Sequence, residues 1–293
     1  MYEEGTTMAK TINSKFKMND GREIPVIGFG TWKADGDTAA MSACEAIKAG
    51  YRLLDCASLY RNEAGVGEGI ARGIKEAGIK REDLFITSKV WNRMRGYEKT
   101  KAAFEKSLTA LGLDYMDLYL IHWPAVKKQF ENWEEINLDT WRAMTELCKE
   151  GKILSIGVAN FKEHHLKALM ETEIKPAVDQ IEFHPGYTQM ETVKFCQENG
   201  IIVEGWSPLG SGAVLADERL AAIAAKYGKS VAQICLRFAI QNDIVPLPKS
   251  VTPSRIVSNL EVFDFELKDE DVAAMAAMPL FGWSGYNSDE VDF

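Results

Sequence analysis

Short apolar runs and longer helix-patterned segments alternate along almost the whole of this chain. The runs lie near residues 26–29, 51–55, 84–88, 116–121, 153–158, 177–181, 201–206 and 244–246. Helical patterns fall near 38–49, 63–78, 98–111, 138–150, 162–172, 190–199, 231–241 and 253–261. Strands joined through helices run parallel, because a parallel neighbour can be reached only by a crossover. Eight such units bury their strands on both faces most simply by closing on themselves. The pattern therefore predicts an α/β fold, a (β/α)8 barrel, as one domain over 1–293, a length such barrels routinely reach.

Local signals fill in this frame. Phe16-Lys17-Met18 and Arg22-Glu23-Ile24 flank Asn19-Asp20-Gly21, the pattern of a short hairpin, expected to plug the barrel ahead of the first strand. Asp37 is expected to cap the first helix and Gly50 to close it. Ser230 with Gln233 makes a capping box, and Thr252-Pro253 marks another helix start. Longer non-helical stretches are expected at 122–137, 206–217 and 279–293, the last as a tail covering the substrate, and a flexible extension is expected over 1–14.

The charge balance, 34 basic against 43 acidic residues for a net −9, argues against a nucleic-acid surface. No stretch approaches the length of a membrane span, and Met1-Tyr2-Glu3-Glu4-Gly5 does not open a signal peptide. Cys44, Cys56, Cys148, Cys196 and Cys235 never form a Cys-x-x-Cys pair and read as reduced, buried thiols. A cytoplasmic protein with neither nucleic-acid nor membrane partner is expected.

Chemistry-bearing side chains recur where the apolar runs stop: Asp55, Lys89, His122, Asn160, Gln180, Ser207 and Lys249. In a parallel barrel these ends share one rim, where such folds build their active sites. Tyr60 follows Asp55 in the next loop. A phenol, with its pKa near ~10, holds its proton at neutral pH. An ammonium at ~4 Å would favour the phenolate by about 4 kcal/mol at an effective dielectric near ~20, before desolvation. Lys89 can supply that charge, Asp55 can keep Lys89 protonated, Tyr60 becomes a general acid for a carbonyl oxygen, and His122 can donate a second hydrogen bond.

At this point the chain resembles the aldo-keto reductases over about residues 15–290. The motifs are Gly28-Phe29-Gly30-Thr31-Trp32, Leu54-Asp55-Cys56-Ala57-Ser58-Leu59-Tyr60-Arg61-Asn62-Glu63, Ile86-Thr87-Ser88-Lys89-Val90-Trp91 and Asp117-Leu118-Tyr119-Leu120-Ile121-His122-Trp123-Pro124. It is most similar to the short-looped bacterial glyoxal and diketogluconate reductase type. The resemblance implies a catalytic tetrad of Asp55, Tyr60, Lys89 and His122, with NADPH as cofactor and a monomeric state.

Gly28-Phe29-Gly30 is not a Rossmann fingerprint, because Lys33 stands where a third glycine belongs. Lys249-Ser250 before the Thr252-Pro253 helix start, with Arg255 in its first turn, suits an anion. The resemblance implies that Lys249, Ser250 and Arg255 take the 2′-phosphate of NADPH and Asn259 the adenine. It further implies Asn160 and Gln180 at the nicotinamide carboxamide, Trp206 stacked on the nicotinamide, and Ser207 and Leu209 beside the pyrophosphate. Thr31 and Trp32 belong to the same cofactor-binding set. Ala159 and Ser258 depart from the residues common at those places, as does Ser288 in the tail.

The expected activity is reduction of aldehydes and ketones (small dicarbonyls, aromatic aldehydes or keto sugars), with Trp32, Trp91 and Trp123 lining the substrate pocket. Two other readings are weighed against it: a Schiff-base aldolase using Lys89, and an NADPH-binding sensor on the same fold. No metal site is expected. His184 after Glu182 lacks ligand spacing, and His164-His165 begins a polar helix face with no role assigned.

Overall fold

The computed structural model describes residues 11–293, so the extension expected over 1–14 lies mostly outside the described residues. The chain enters through a hairpin, β1 (Lys15–Lys17) against β2 (Glu23–Pro25), with Phe16 paired to Ile24. Gly21 turns it at φ +86°, a conformation that suits glycine. Met18 and Ile24 are buried with Leu53, Phe85, Leu118, Leu120, Val178 and Val245, so the hairpin closes the floor of the barrel as expected.

Eight parallel strands follow: β3 (Phe29–Gly30), β4 (Leu53–Asp55), β5 (Phe85–Val90), β6 (Met116–Ile121), β7 (Ile153–Ala159), β8 (Val178–Glu182), β9 (Ile202–Trp206) and β10 (Ile244–Pro246). Each pairs with its successor in the sequence. The circle closes where Gly28 and Gly30 donate their N–H groups to Pro246 O and Pro248 O, both at 3.0 Å. Residue 28 must be small there, since a Cβ would meet Leu53 Cδ2 at 2.2 Å and Leu247 Cδ2 at 2.6 Å. This is the predicted (β/α)8 barrel.

Around it stand α1 (Gly36–Ala49), α2 (Glu63–Ala77), α3 (Tyr97–Leu111), α4 (Trp133–Lys149), α5 (Glu163–Met170), α6 (Met190–Glu198), α7 (Glu218–Tyr227), α8 (Val231–Gln241), α9 (Pro253–Ser258) and α10 (Asp269–Ala276). Gly50 closes α1 in the left-handed conformation, and the Ser230–Gln233 capping box forms. Several boundaries differ from expectation. Asp35, not Asp37, takes the N-cap position of α1, which leaves Asp37 in the first turn. Helix α4 starts at Trp133 rather than near 138, with Glu134 and Glu135 in the first turn where acidic charge favours a helix start. Helices α7 and α10 were not expected. Neither is a crossover between barrel strands in its own right, so a one-strand, one-helix alternation leaves no slot for them. Asp217 caps α7 by accepting from Arg219 and Leu220 N–H. Helix α9 is only six residues long and ends short of 261.

Candidate active site

Strands β4 and β5 deliver Asp55 and Lys89 to neighbouring positions on the barrel wall. Lys89 is fully buried, and its three N–H groups are all used: Asp55 Oδ1 at 2.5 Å, Cys56 O at 2.9 Å and Tyr60 OH at 3.3 Å. Tyr60, half-buried in the turn after β4, accepts from the ammonium, so its own O–H remains for another acceptor. His122 directly follows β6 and is buried; its ring lies 5.9 Å from that of Tyr60, edge to face. The four expected side chains therefore meet.

Their electrostatics follow from this geometry. Burial pulls the Lys89 pKa down, but the charge of Asp55, with Tyr60 and the Asp55 hydrogen bond, reverses that and holds it above the usual lysine value. Burial pushes the Tyr60 phenol up to about 12, and Lys89 works against that rise. His122 is held well below the usual histidine value by burial and then by the Lys89 charge, so it is neutral at pH 7.

The residues expected to hold the nicotinamide pack around the tetrad. Gln180 does not end its strand. Strand β8 runs on to Glu182, so Gln180 sits one layer inside the rim. Its Nε2 donates both to Asp55 Oδ1 (2.9 Å) and to Glu204 Oε2 (2.8 Å), leaving Oε1 as the end of that amide without a hydrogen-bond partner among the described residues. Asn160, at φ +64°, donates to His122 O (2.9 Å) and accepts from Trp206 Nε1 (2.8 Å), tying the indole at the end of β9 to the tetrad histidine. Thr31 is buried with its hydroxyl on Asp55 O at 2.8 Å, at the end of β4.

On the far side of the rim, Ser207 follows β9 at φ +49° and its Oγ accepts from Ser211 N–H, which shapes the loop that carries Leu209. Lys249 lies beside Lys33, with its Nζ on Lys33 O at 3.3 Å; burial and then the Lys33 charge lower its pKa. Ser250 is buried and accepts from Thr252 N–H. Arg255 projects exposed from α9, and Asn259 is buried at its end. Six residues make a weak macrodipole, so the cations rather than the helix would carry any anion here.

The walls above the tetrad are aromatic. Trp32 lies 4.8 Å from the Tyr60 ring and Trp91 lies 5.2 Å from His122, while Trp123 is buried beside Trp91 and Trp206. The tail completes them: Phe293 stacks on Trp91 at 5.5 Å and meets Trp123 edge-on, and Tyr286 packs edge-on against both Trp123 and Phe293. Several side-chain contacts hold the tail. Ser284 bonds to Glu182, Asp289 binds Lys162, His164 and His165, and Phe293 O accepts from Asn92.

Residues 26–278 match the aldo/keto reductase family. Over 288 residues the chain is 49% identical to glyoxal reductase of Bacillus subtilis, covering 98% of this chain and 100% of that protein. The chain belongs to the aldo/keto reductase family. Among solved structures, an aldo-keto reductase from a Medee basin deep-sea metagenome library is 41% identical with a TM-score of 0.87, covering 96% of this chain and all of its own. The aldo-keto reductase of Bombyx mori, solved in complex with NADP, is 37% identical with a TM-score of 0.83, covering 90% of this chain and 92% of its own.

Other motifs of this aldo/keto reductase do different work. A Tyr-x-x-x-Lys spacing, the catalytic pair of short-chain dehydrogenases, occurs at Tyr97 and Lys101. Both side chains bind Glu146 of α4 and join two outer helices. His165 is buried, not on a polar face. It accepts from Lys162 N–H through Nδ1, which puts its proton on Nε2 and turns that nitrogen toward Asp289 as a donor. That tautomer argues against a metal held by His164, His165 and Asp289, although the three lie close enough to be considered. His184 is buried with Nδ1 on Pro185 O. Glu204 and Phe293 went unforeseen: one lies mid-strand among apolar residues, and the other follows a segment with no helical or strand periodicity. Among the described residues no helix is long and apolar enough to cross a membrane.

Proposed function

We propose that this chain reduces aldehydes and ketones to alcohols with NADPH, with small reactive carbonyls as its main substrates and Tyr60 as the proton donor. The observation that carries this reading is the Lys89 ammonium donating at once to Asp55 and to the Tyr60 oxygen, which leaves the Tyr60 O–H free beneath an aromatic mouth. The residue set fits the cofactor: Lys33 and Lys249 gather positive charge, and neither they nor exposed Arg255 on α9 has an ion-paired carboxylate among the described residues, as a phosphate requires. Lys249, Ser250, Arg255 and Asn259 would hold the adenosine phosphate end. Asn160, Gln180 through Oε1, and Trp206 would hold the nicotinamide, with Ser207 and Leu209 along the loop between. When bound, the reduced nicotinamide supplies the hydride.

Tyr60 passes its proton to the carbonyl oxygen, and Lys89, already bonded to the phenol oxygen, stabilises the phenolate left behind. Asp55 keeps Lys89 charged throughout. Neutral His122 donates one N–H to the same carbonyl without adding a second cation beside Lys89. Trp32, Trp91, Trp123 and Phe293 exclude water and favour flat or small apolar carbonyl compounds. The name of the Bacillus subtilis relative, glyoxal reductase, supports small dicarbonyls as the first class to assay. A Schiff-base role for Lys89 is disfavoured, because attack needs a neutral amine and this one is a saturated, stabilised ammonium.

Tyr60→Phe keeps the ring and removes the proton. Carbonyl reduction with an aromatic aldehyde should fall by about 10²–10⁴-fold, while NADPH binding measured by fluorescence persists; wild-type turnover in this variant rules the mechanism out. Arg255→Ala should raise the KM for NADPH by about tenfold, the scale of one lost charged hydrogen bond, and leave that for NADH unmoved. Equal effects on both cofactors would remove the phosphate assignment.

A further inference from the structure

Strand β9 carries a carboxyl into the barrel interior that the tetrad does not account for. Glu204 is fully buried, and it is the register partner of Gln180 on β8. Its Oε2 accepts from Gln180 Nε2 at 2.8 Å; the same nitrogen donates to Asp55 Oδ1 at 2.9 Å, and that oxygen also takes Lys89 Nζ at 2.5 Å. With Lys89 on Tyr60 OH, an unbroken line of contacts joins Glu204 to the phenol. Glu204 Oε1 is buried with no hydrogen-bond partner among the described residues, and no cation lies in ion-pair contact with Glu204 among them. The ionisable groups whose charges reach it are Asp55 on β4 and Lys89 on β5. Strand β8 brings only the Gln180 amide, and β10 brings Val245, its apolar register partner.

Two carboxyls thus share one amide and one ammonium in a water-poor interior. Asp55 has the direct ion pair, so the proton belongs on Glu204, since an unpaired buried carboxylate is costly. Burial and then the Asp55 charge push the Glu204 carboxyl up to about 8, against the Gln180 hydrogen bond and Lys89.

We propose that Glu204 is a positioning residue of the proton transfer: neutral, it lets Asp55 and Lys89 act on Tyr60 as a balanced pair; ionised, it adds a second negative charge beneath them and makes Tyr60 a poorer acid. This rests on the reading of Tyr60 as the acid. Loss of the Glu204 proton then appears as an alkaline decline in carbonyl reduction, at a lower pH than titration of Tyr60 itself would cause.

The test has two arms. In wild-type protein without cofactor, carbon-13 NMR of a glutamate-labelled sample should show a glutamate carboxyl titrating well above the usual glutamate range, and Glu204→Gln should remove that resonance. In the loaded enzyme, Glu204→Gln should remove the limb set by Glu204 and move the alkaline decline of kcat/KM upward by at least about one pH unit, toward the titration of Tyr60 itself, whatever the height of the plateau. If no wild-type glutamate titrates above the ordinary range, the proposal is overturned. It is equally overturned if Glu204→Gln leaves the limb in place, whether activity is retained or uniformly lost, since a purely structural role lowers the rate without moving it. The NMR arm needs no turnover, so failure of the Tyr60 reading, seen as full activity in Tyr60→Phe, is separately recognisable.

Discussion

Asp179 and Gln180 are sequence neighbours that β8 sends to opposite faces, and their fates diverge. Gln180 enters the barrel, whereas Asp179 turns outward into the helix layer, where it is fully buried against Phe161 N–H at 3.4 Å and Cys196 Sγ at 3.9 Å. Burial raises its pKa well above the usual aspartate range. A raised folded-state pKa gives stability that is complete below the unfolded value and is lost as pH rises toward the folded one. Asp179→Asn removes that titration. The thermal midpoint of the variant relative to wild type should therefore improve steadily from about pH 4 upward, and a constant difference across pH would show that Asp179 does not titrate there. At this scale the tetrad is legible in the sequence, because Asp55, Lys89 and His122 each close an apolar run. The depth of Gln180 is not legible: two further residues of strand, Ile181 and Glu182, decide it.

Helix α2 approaches α1 along Gly65, Gly69 and Gly73, spaced by four so that they share one face. A Cβ at these positions would come within 2.3 Å of Gly36 O, 2.4 Å of Ala40 O and 2.7 Å of Ile47 Cδ1. The two backbones touch because this stripe has no side chains. Gly69→Ala should therefore destabilise by about 1–3 kcal/mol through overpacking, despite a gain in helix propensity of about 1 kcal/mol. Chemical denaturation measures this, and a stabilised variant would mean that the helices part easily. Helix existence was legible wherever a helix bridges two strands. Helices α7 and α10 were not, because their buried faces are short, with Leu220, Ile223 and Ala224 on one and Asp271 and Met275 on the other. The start of α4 lies among polar residues, where hydrophobic period says little.

On the scale of the whole molecule, the barrel, its hairpin floor and the early half of the rim could be read from the chain. The tail's contacts could not, since Ser284, Asp289 and Phe293 find partners only in three dimensions. The closing seam has a further consequence. It joins the first barrel strand to the last, and the Lys249 contact beside it spans 216 residues. Loop closure on that scale is entropically slow and comes late. The early strands, with Asp55, Lys89 and His122, leave the ribosome long before Glu204, Lys249 and Arg255 exist. The nascent chain therefore carries Asp55, Lys89 and His122 on an open, curved sheet before its last strands bring Glu204 beneath them and the cations of Lys249 and Arg255 to the rim.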